Sequence, residues 1–391
     1  MKIYNKEKWE KVRLGEIFEL QMGKTPSRNK ENYWRHGENS WISISDMKNE
    51  EKYICDTKEK ITDLAVEESK IKVIPKDTVI MSFKLSIGKL AITSKDMFTN
   101  EAIMAFFPKD KVEIDNNYLF YSLKKVNWTE GTNKAVKGLT LNKPLIASKE
   151  ILLPSIQIQK EIAKRLDIVM EILKAKRKIL LQLDELSKCL FIKMFGDPIL
   201  NEKKWRKKQL QEECEIITGN TPSRKEKNYY GNYIEWIKSD NIVPFNIYPT
   251  KAKEFLSENG VKRGRKIEKN NILMTCIAGS VNSIGNISIT DRDVSFNQQI
   301  NGIRVQENNV WFMFKQFELS KKYIQSSITM SLKGILSKSK LSELYFIFPP
   351  IELQNQFAER VKMIEKSKFE IQKSIEETQK LFDSLMKKYF G

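Results

Sequence analysis

The sequence predicts an α+β protein: two homologous mixed α/β domains, each followed by one long helix. Three observations lead there. A chain of 391 residues is too long for one ordinary hydrophobic core and long enough for two. An ordered set of phrases occurs twice, about 195 residues apart. Each copy closes on a proline-headed segment whose apolar residues follow four-three spacing.

The duplication is clearest at "GKTPSR" (Gly23 to Arg28) and "GNTPSR" (Gly219 to Arg224). The match extends outward in constant order. "WISISDM" from Trp41 answers to "WIKSDNI" from Trp236, "VIMSF" from Val79 to "ILMTC" from Ile272, and "IGKLAIT" from Ile87 to "IGNISIT" from Ile284. "NEAI" at Asn100 answers to "NQQI" at Asn297, and "LLPSIQIQKEIAKRL" from Leu152 to "IFPPIELQNQFAERV" from Ile347. "MFG" at Met194 answers to "YFG" at Tyr389. Small shifts in offset mean small insertions, so the copies should share one fold. The division expected is a globular part over residues 1–154, a helix over 155–196, a second globular part over 197–350 and a second helix over 351–391.

Within the globular parts, β-branched and aromatic runs between Gly, Asn and Asp turns read as strands. "TVIMSF", "KLAIT" and "MAFFP" in the first copy have counterparts in "NILMT", "NISIT" and "NGIRV". "NNYLFYSLKKV" from Asn116 and "NNVWFMFKQFELSKKYI" from Asn308 read as helices.

The long helices follow from their seams. From Ile162, alternate steps of four and three reach Leu166, Val169, Leu173, Lys176, Leu180, Leu183, Ser187, Leu190 and Met194. From Phe357 the same walk reaches Val361, Ile364, Lys368, Ile371, Ile375, Thr378, Phe382, Leu385 and Tyr389. A stripe every 3.5 residues needs a partner helix, and the other copy supplies one. A helix of about 38 residues runs about 57 Å at about 1.5 Å per residue, enough to set a distance between two globular parts.

Composition narrows the function. The net charge of +18 is spread along the chain and implies a polyanionic partner. No run approaches the roughly 20 apolar residues of a membrane span, and "MKIYNKEKWEKVRL" lacks the apolar core of a signal peptide, so a cytoplasmic protein without membrane contact is expected. Cys55, Cys189, Cys214 and Cys276 form no CxxC pair, and His36 is the single histidine, so neither a zinc site nor a disulfide framework is expected.

Motifs for catalysis are missing. Neither GxGxxG nor GxxxxGK[ST] occurs, and Pro349-Pro350 in "IFPPI" lacks the flanking residues that a base-methylating motif needs. Asp77 with Lys84, or Asp291 with Asp293, match loose nuclease patterns but read as surface charges. No catalytic or metal-binding residue is assigned.

What remains is binding chemistry. Thr25, Ser27, Arg28 and Lys30 combine hydroxyls with charge-assisted donors, and Thr221, Ser223, Arg224 and Lys225 repeat the set. The hydroxyls fit a turn or cap as well as a phosphate. Trp41 and Trp236 read as core, while Ser43, Lys238 and Asn241 beside them could reach base edges. "KAVKGLTLN" carries Lys137 and Thr140, and "MSLKGILSKSK" carries Lys333 and Lys338, in basic segments suited to phosphate. Lys84 and Asn282 complete the candidate DNA-binding set.

This combination resembles the specificity subunit of type I restriction-modification systems over essentially the full length. The carriers are "WEKVRLGEIFELQMGKTPSR...YW", "WRKKQLQEECEIITGNTPSR...YY", the two proline-headed helices and the hinge "KMFGDP". The resemblance implies two target recognition domains, each reading half of a split double-stranded DNA sequence, held apart by two long helices paired as an antiparallel coiled coil. It implies two modification subunits docked on the chain, which bind S-adenosylmethionine and methylate adenine, with no cofactor on this chain; restriction subunits are further partners. A self-sufficient DNA methyltransferase or nuclease with degenerate motifs is the alternative, and a coiled-coil scaffold a third reading. "PSIQIQ" lacks the acidic residue of "PIELQ", so Glu352 has no role that both halves share.

Overall fold

The computed structural model describes residues 9–48, 51–130, 133–135, 138–244, 246–330 and 334–391, without side chains at 133–135, 138–140 and 330. The described chain forms two compact units. One comprises Met1–Arg177 with Lys373–Gly391, the other Lys178–Gln372. Both boundaries fall inside long helices, Ile156–Phe195 and Ile351–Phe390, each of 40 residues.

Unit one is built on a five-stranded sheet. Val79–Ser82 pairs antiparallel with Ile103–Pro108 and Leu90–Thr93, Phe18–Met22 lies beyond Ile103–Pro108, and Tyr53–Ile54 adds a parallel edge. All four residues of Val79–Ser82 and of Leu90–Thr93 are buried, as expected of strands read from continuous apolar runs. A smaller sheet sets Asn39–Ile42 between Glu59–Ile61 and Phe98–Thr99. Helix Asn116–Lys125, capped by the Asp115 side chain, covers the larger sheet with Tyr118, Leu119, Phe120 and Tyr121.

Unit two repeats the plan. Cys214–Thr218, Ile300–Val305, Ile272–Thr275 and Ile287–Ile289 form a four-stranded antiparallel sheet. Tyr230–Ile237 lies parallel to Val294–Phe296, as Asn39–Ile42 does to Phe98–Thr99 in unit one. The helix expected from Asn308 is two helices, Val310–Leu319 and Lys321–Ser326, turned at buried Ser320. Ile324, on the second of them, is buried in the core.

The long helices enter each core. In unit one Ile162, Leu166 and Val169 pack with Leu385, Met386 and Tyr389. In unit two Phe191 and Phe195 pack with Phe357 and Val361. Pairing is antiparallel in both units: the Lys176 Nζ reaches Ser374 Oγ at 2.7 Å and Thr378 Oγ1 at 2.7 Å, and Arg165 reaches Tyr389. In unit two the Lys368 Nζ lies 2.5 Å from Asp184, and the Phe191 ring meets Phe357. Every seam position read from the sequence is buried or half-buried. The two lysines the seam walk placed inward therefore find acceptors there.

Each long helix is also locked to its globular part by one buried glutamine. Gln159 Oε1 accepts the Asp115 N–H at 2.8 Å, while Nε2 donates to Pro154 O at 2.8 Å and Glu113 O at 3.1 Å. Gln354 Oε1 accepts the Asn309 N–H at 2.9 Å, and Nε2 donates to Pro349 O and Asn308 Oδ1, both at 2.8 Å. This is the side chain that "PSIQIQ" and "PIELQ" share.

Candidate nucleic-acid interface

The loops singled out by the sequence converge, in each unit, on one short turn. In unit one it is Thr99–Ile103. Asn100 closes the turn by accepting the Ala102 N–H on Oδ1 at 3.0 Å, and Asn297 does the same for Gln299 at 3.1 Å. This accounts for the asparagine that heads both "NEAI" and "NQQI".

Three loops hang on this turn. From the first, Gly23 N donates to Ile103 O at 3.3 Å, Lys24 N to Thr99 O at 2.8 Å, and Thr25 Oγ1 to Glu101. In the second copy Gly219 N donates to Ile300 O at 3.0 Å, Asn220 N to Phe296 O at 3.2 Å, and Thr221 Oγ1 to Gln298. A Cβ on Gly23 would stand 2.1 Å from Thr99 O, and one on Gly219 2.1 Å from Asn297 O. The doubled glycine is required by close backbone approach.

The second loop follows the tryptophan strand: Asn100 N donates to Ile42 O and Asn297 N to Ile237 O, both at 3.0 Å. The third follows the central strand, where Phe83 N donates to Ala102 O at 2.9 Å and Cys276 N to Gln299 O at 2.7 Å. A further strand end joins there, through Leu141 N to Phe83 O at 3.0 Å and Leu336 N to Cys276 O at 2.9 Å. These bonds bring the backbone at Leu141 and Leu336 beside the same turn.

The arginines of the doubled phrase are held in aromatic brackets. Arg28 lies 3.8 Å over the Trp34 ring and 5.0 Å over Trp41, and its guanidinium grips Glu59 through both carboxylate oxygens. Arg224 lies 4.6 Å over Tyr230 and 5.1 Å over Trp236, with Glu254 at 2.6 Å. Hydrogen bonds donated to Glu59 and Glu254 raise both arginine pKa values above the ordinary one, and Arg224 with Lys238 holds Glu254 below the usual carboxylate range. These charges are already paired, so the brackets shape the surface as much as they charge it.

The remaining expected residues fall into distinct places. Ser27, Ser223, Lys225, Asn282 and Lys338 are exposed, and Lys84 is half-exposed. Lys30 is paired with Glu68 at 2.7 Å, and Ser43 with Asp46 at 2.7 Å. Asn241 requires a correction. It is only 8% exposed, and its amide accepts Lys238 N–H and donates to Thr250 Oγ1 and Lys251 O, so it holds a turn and offers nothing to a base. Thr140 ends the strand Gly138–Thr140, while Lys137 and Lys333 lie outside the described residues. In the nuclease-like pair Asp291 and Asp293, the first meets Arg292 at 2.5 Å and the second meets Lys266 at 2.8 Å, both ordinary ion pairs.

Sequence reasoning missed Glu59, Glu254 and the two anchoring glutamines. Their signal was recurrence of one residue type at matching places in the two copies. Cys214 and Cys276 are buried, which pushes both thiols up to about 12, and His36 is exposed. Among the described residues no cluster could hold a metal ion, and no helix is long and apolar enough to cross a membrane.

Comparison with known proteins adds three findings. Residues 6–184 and 202–380 each match the family model described as the type I restriction modification DNA specificity domain. The type I restriction enzyme MjaIX specificity subunit of Methanocaldococcus jannaschii is 24% identical over 404 aligned positions, covering 97% of this chain and 92% of that protein. The fold is that of the type I restriction-modification S subunit from M. genitalium, at a TM-score of 0.62 and 17% identity, covering 100% of this chain and 98% of the other. A second chain, from a structure of type I R-M complex assembly and conformational transition, superposes at 0.58 with 16% identity and the same coverage.

Proposed function

This chain belongs to the type I restriction modification DNA specificity family, with two copies of the domain, and we propose that each unit reads one half of a split double-stranded DNA target. The chain is the specificity subunit of a type I restriction-modification system and not its catalyst. The observation that carries the two-reader model is the repeated turn, Thr99–Ile103 and Phe296–Ile300, with the same loops hung on each. Two homologous but different surfaces suit two different half-sequences.

The long helices are then the ruler between the half-targets, as half-site spacing is fixed in other two-headed readers. Two modification subunits dock on this chain, bring S-adenosylmethionine and methylate adenine, and restriction subunits join the same complex. Exposed Ser27, Ser223, Lys225 and Lys338 and half-exposed Lys84 supply phosphate or base-edge contacts.

The test is reconstitution with the modification subunits, followed by mapping of methylated adenines. A bipartite motif with one spacer length is expected, and a heptad inserted into both helices should lengthen the spacer while leaving both half-sequences intact. An unchanged spacer removes the ruler. Methyl transfer by the purified chain alone, or its binding of S-adenosylmethionine, would favour the self-sufficient enzyme.

A further inference from the structure

The two units carry the same loop stand and different loop tips. In unit one the segment after Val79–Ser82 is pinned at every side. Ser82 Oγ donates to Ser86 O and accepts Lys89 N–H at 3.0 Å, and Gly88 N donates to Ser82 O at 2.9 Å. Gly88, at φ +82°, lies against Trp128, where a Cβ would stand 3.1 Å from the ring. Phe83 ties the segment to Ala102 and to Leu141.

Unit two repeats the stand. Gly285 N donates to Thr275 O at 2.9 Å with φ +80°, and Cys276 is tied to Gln299 and Leu336 as Phe83 is to its partners. Between these fixed points the tips diverge. Unit one places Lys84, Leu85 and Ser86 there, whereas unit two has the longer run from Ile277 to Ser283, with Gly279 in open space.

Leu85 is the unusual member. The residue is 73% exposed, the largest exposure among the large apolar residues described, on a loop whose backbone is otherwise fixed. Its φ is +63°, in the left-handed region that a leucine avoids. Packing explains neither property, since the side chain is turned away from the core. Backbone outliers held by a rigid surround cluster at functional sites.

We infer that Leu85 makes an apolar contact with a base of the first half-target, and that this loop tip is one element by which the two units read different sequences. The inference rests on the DNA-reading function proposed above. Lys84 and Lys89 flank the contact with phosphate-binding charge, and the turn at Glu101 and the strand end at Leu141 border it. The apolar group that DNA offers in the major groove is the thymine methyl.

The test uses the full chain assembled with its modification subunits and a duplex library randomised across both halves. Leu85→Ala should lose a thymine preference of about tenfold at one position of the first half, with the second half unchanged. Leu85→Gly should lose the same preference while keeping or raising Tm, because glycine accepts the left-handed backbone; this separates reading from folding. Unchanged selection by both variants, or a change confined to the second half, overturns the role of Leu85 while leaving the two-reader function standing. A wild-type complex that selects no sequence overturns both.

Discussion

Truncating Gln354 should uncouple the second long helix from its globular part, and the structure sets the size of the effect. The side chain is 1% exposed and makes three hydrogen bonds of 2.8–2.9 Å. Gln354→Ala leaves the Asn309 N–H and the Pro349 carbonyl without that partner. A buried group left so costs about 1–3 kcal/mol, and water entering the vacated space offsets part of it, so a loss of about 3 kcal/mol in unit two is expected. Gln159→Ala should cost a similar amount in unit one, where the side chain is 0% exposed and bonded alike. The two losses should add when combined, since the sites share no partner.

Native-state hydrogen exchange reads this locally, which matters because a chain of two units need not unfold in one step. In Gln354→Ala, amides of Val310–Leu319 and the first turns of Ile351–Phe390 should exchange about 100-fold faster, at about 1.4 kcal/mol per tenfold. Amides of Asn116–Lys125 should keep their rates. Acceleration below about tenfold would refute the anchor, as would an equal change in both units.

Three further outcomes are expected. Gly219→Ala places a Cβ against Asn297 O at 2.1 Å, so the turn must move; stability of unit two should fall by about 2 kcal/mol or more in urea titration, with loss of selection at the second half-target only. Lys176→Met removes the donor that Ser374 Oγ and Thr378 Oγ1 share at a half-buried seam position, and because the apolar packing gained offsets the hydrogen bonds lost, unit-one stability in urea titration should change by no more than about 1 kcal/mol. Because Arg224 and Lys238 lower the pKa of Glu254 in the folded state, its contribution is complete above the ordinary glutamate value near about 4.3 and is lost as pH falls through the folded value. Tryptophan fluorescence should report opening of that bracket on the acid side of the ordinary glutamate value near about 4.3, and Glu254→Gln should abolish this acid-side step.

Some of the protein is written locally and some is not. The duplication, the strands and the two helices follow from the order and spacing of apolar residues, because burial of a stripe or an alternating face is a property of neighbours in the chain. Ile162 to Met194 and Phe357 to Tyr389 were therefore legible as seams, Lys176 and Lys368 included. The single helix expected from Asn308 is divided at buried Ser320, a boundary that the spacing of apolar residues does not mark.

The candidate site divides in the same way. "GKTPSR" and "GNTPSR" identify themselves by recurrence, and so do "NEAI" and "NQQI". That Thr25 meets Glu101, that Arg28 is bracketed by Trp34 and Trp41 and closed by Glu59, and that Asn241 turns inward are contacts across long stretches of chain. The sequence by itself determined that there are two copies of one domain and two seams, since repetition and periodicity are one-dimensional. Only the tertiary structure decided that the loops of each copy meet on one turn and that Gln159 and Gln354 anchor the helices, because those hydrogen bonds exist only once distant backbone segments are brought within about 3 Å of one another.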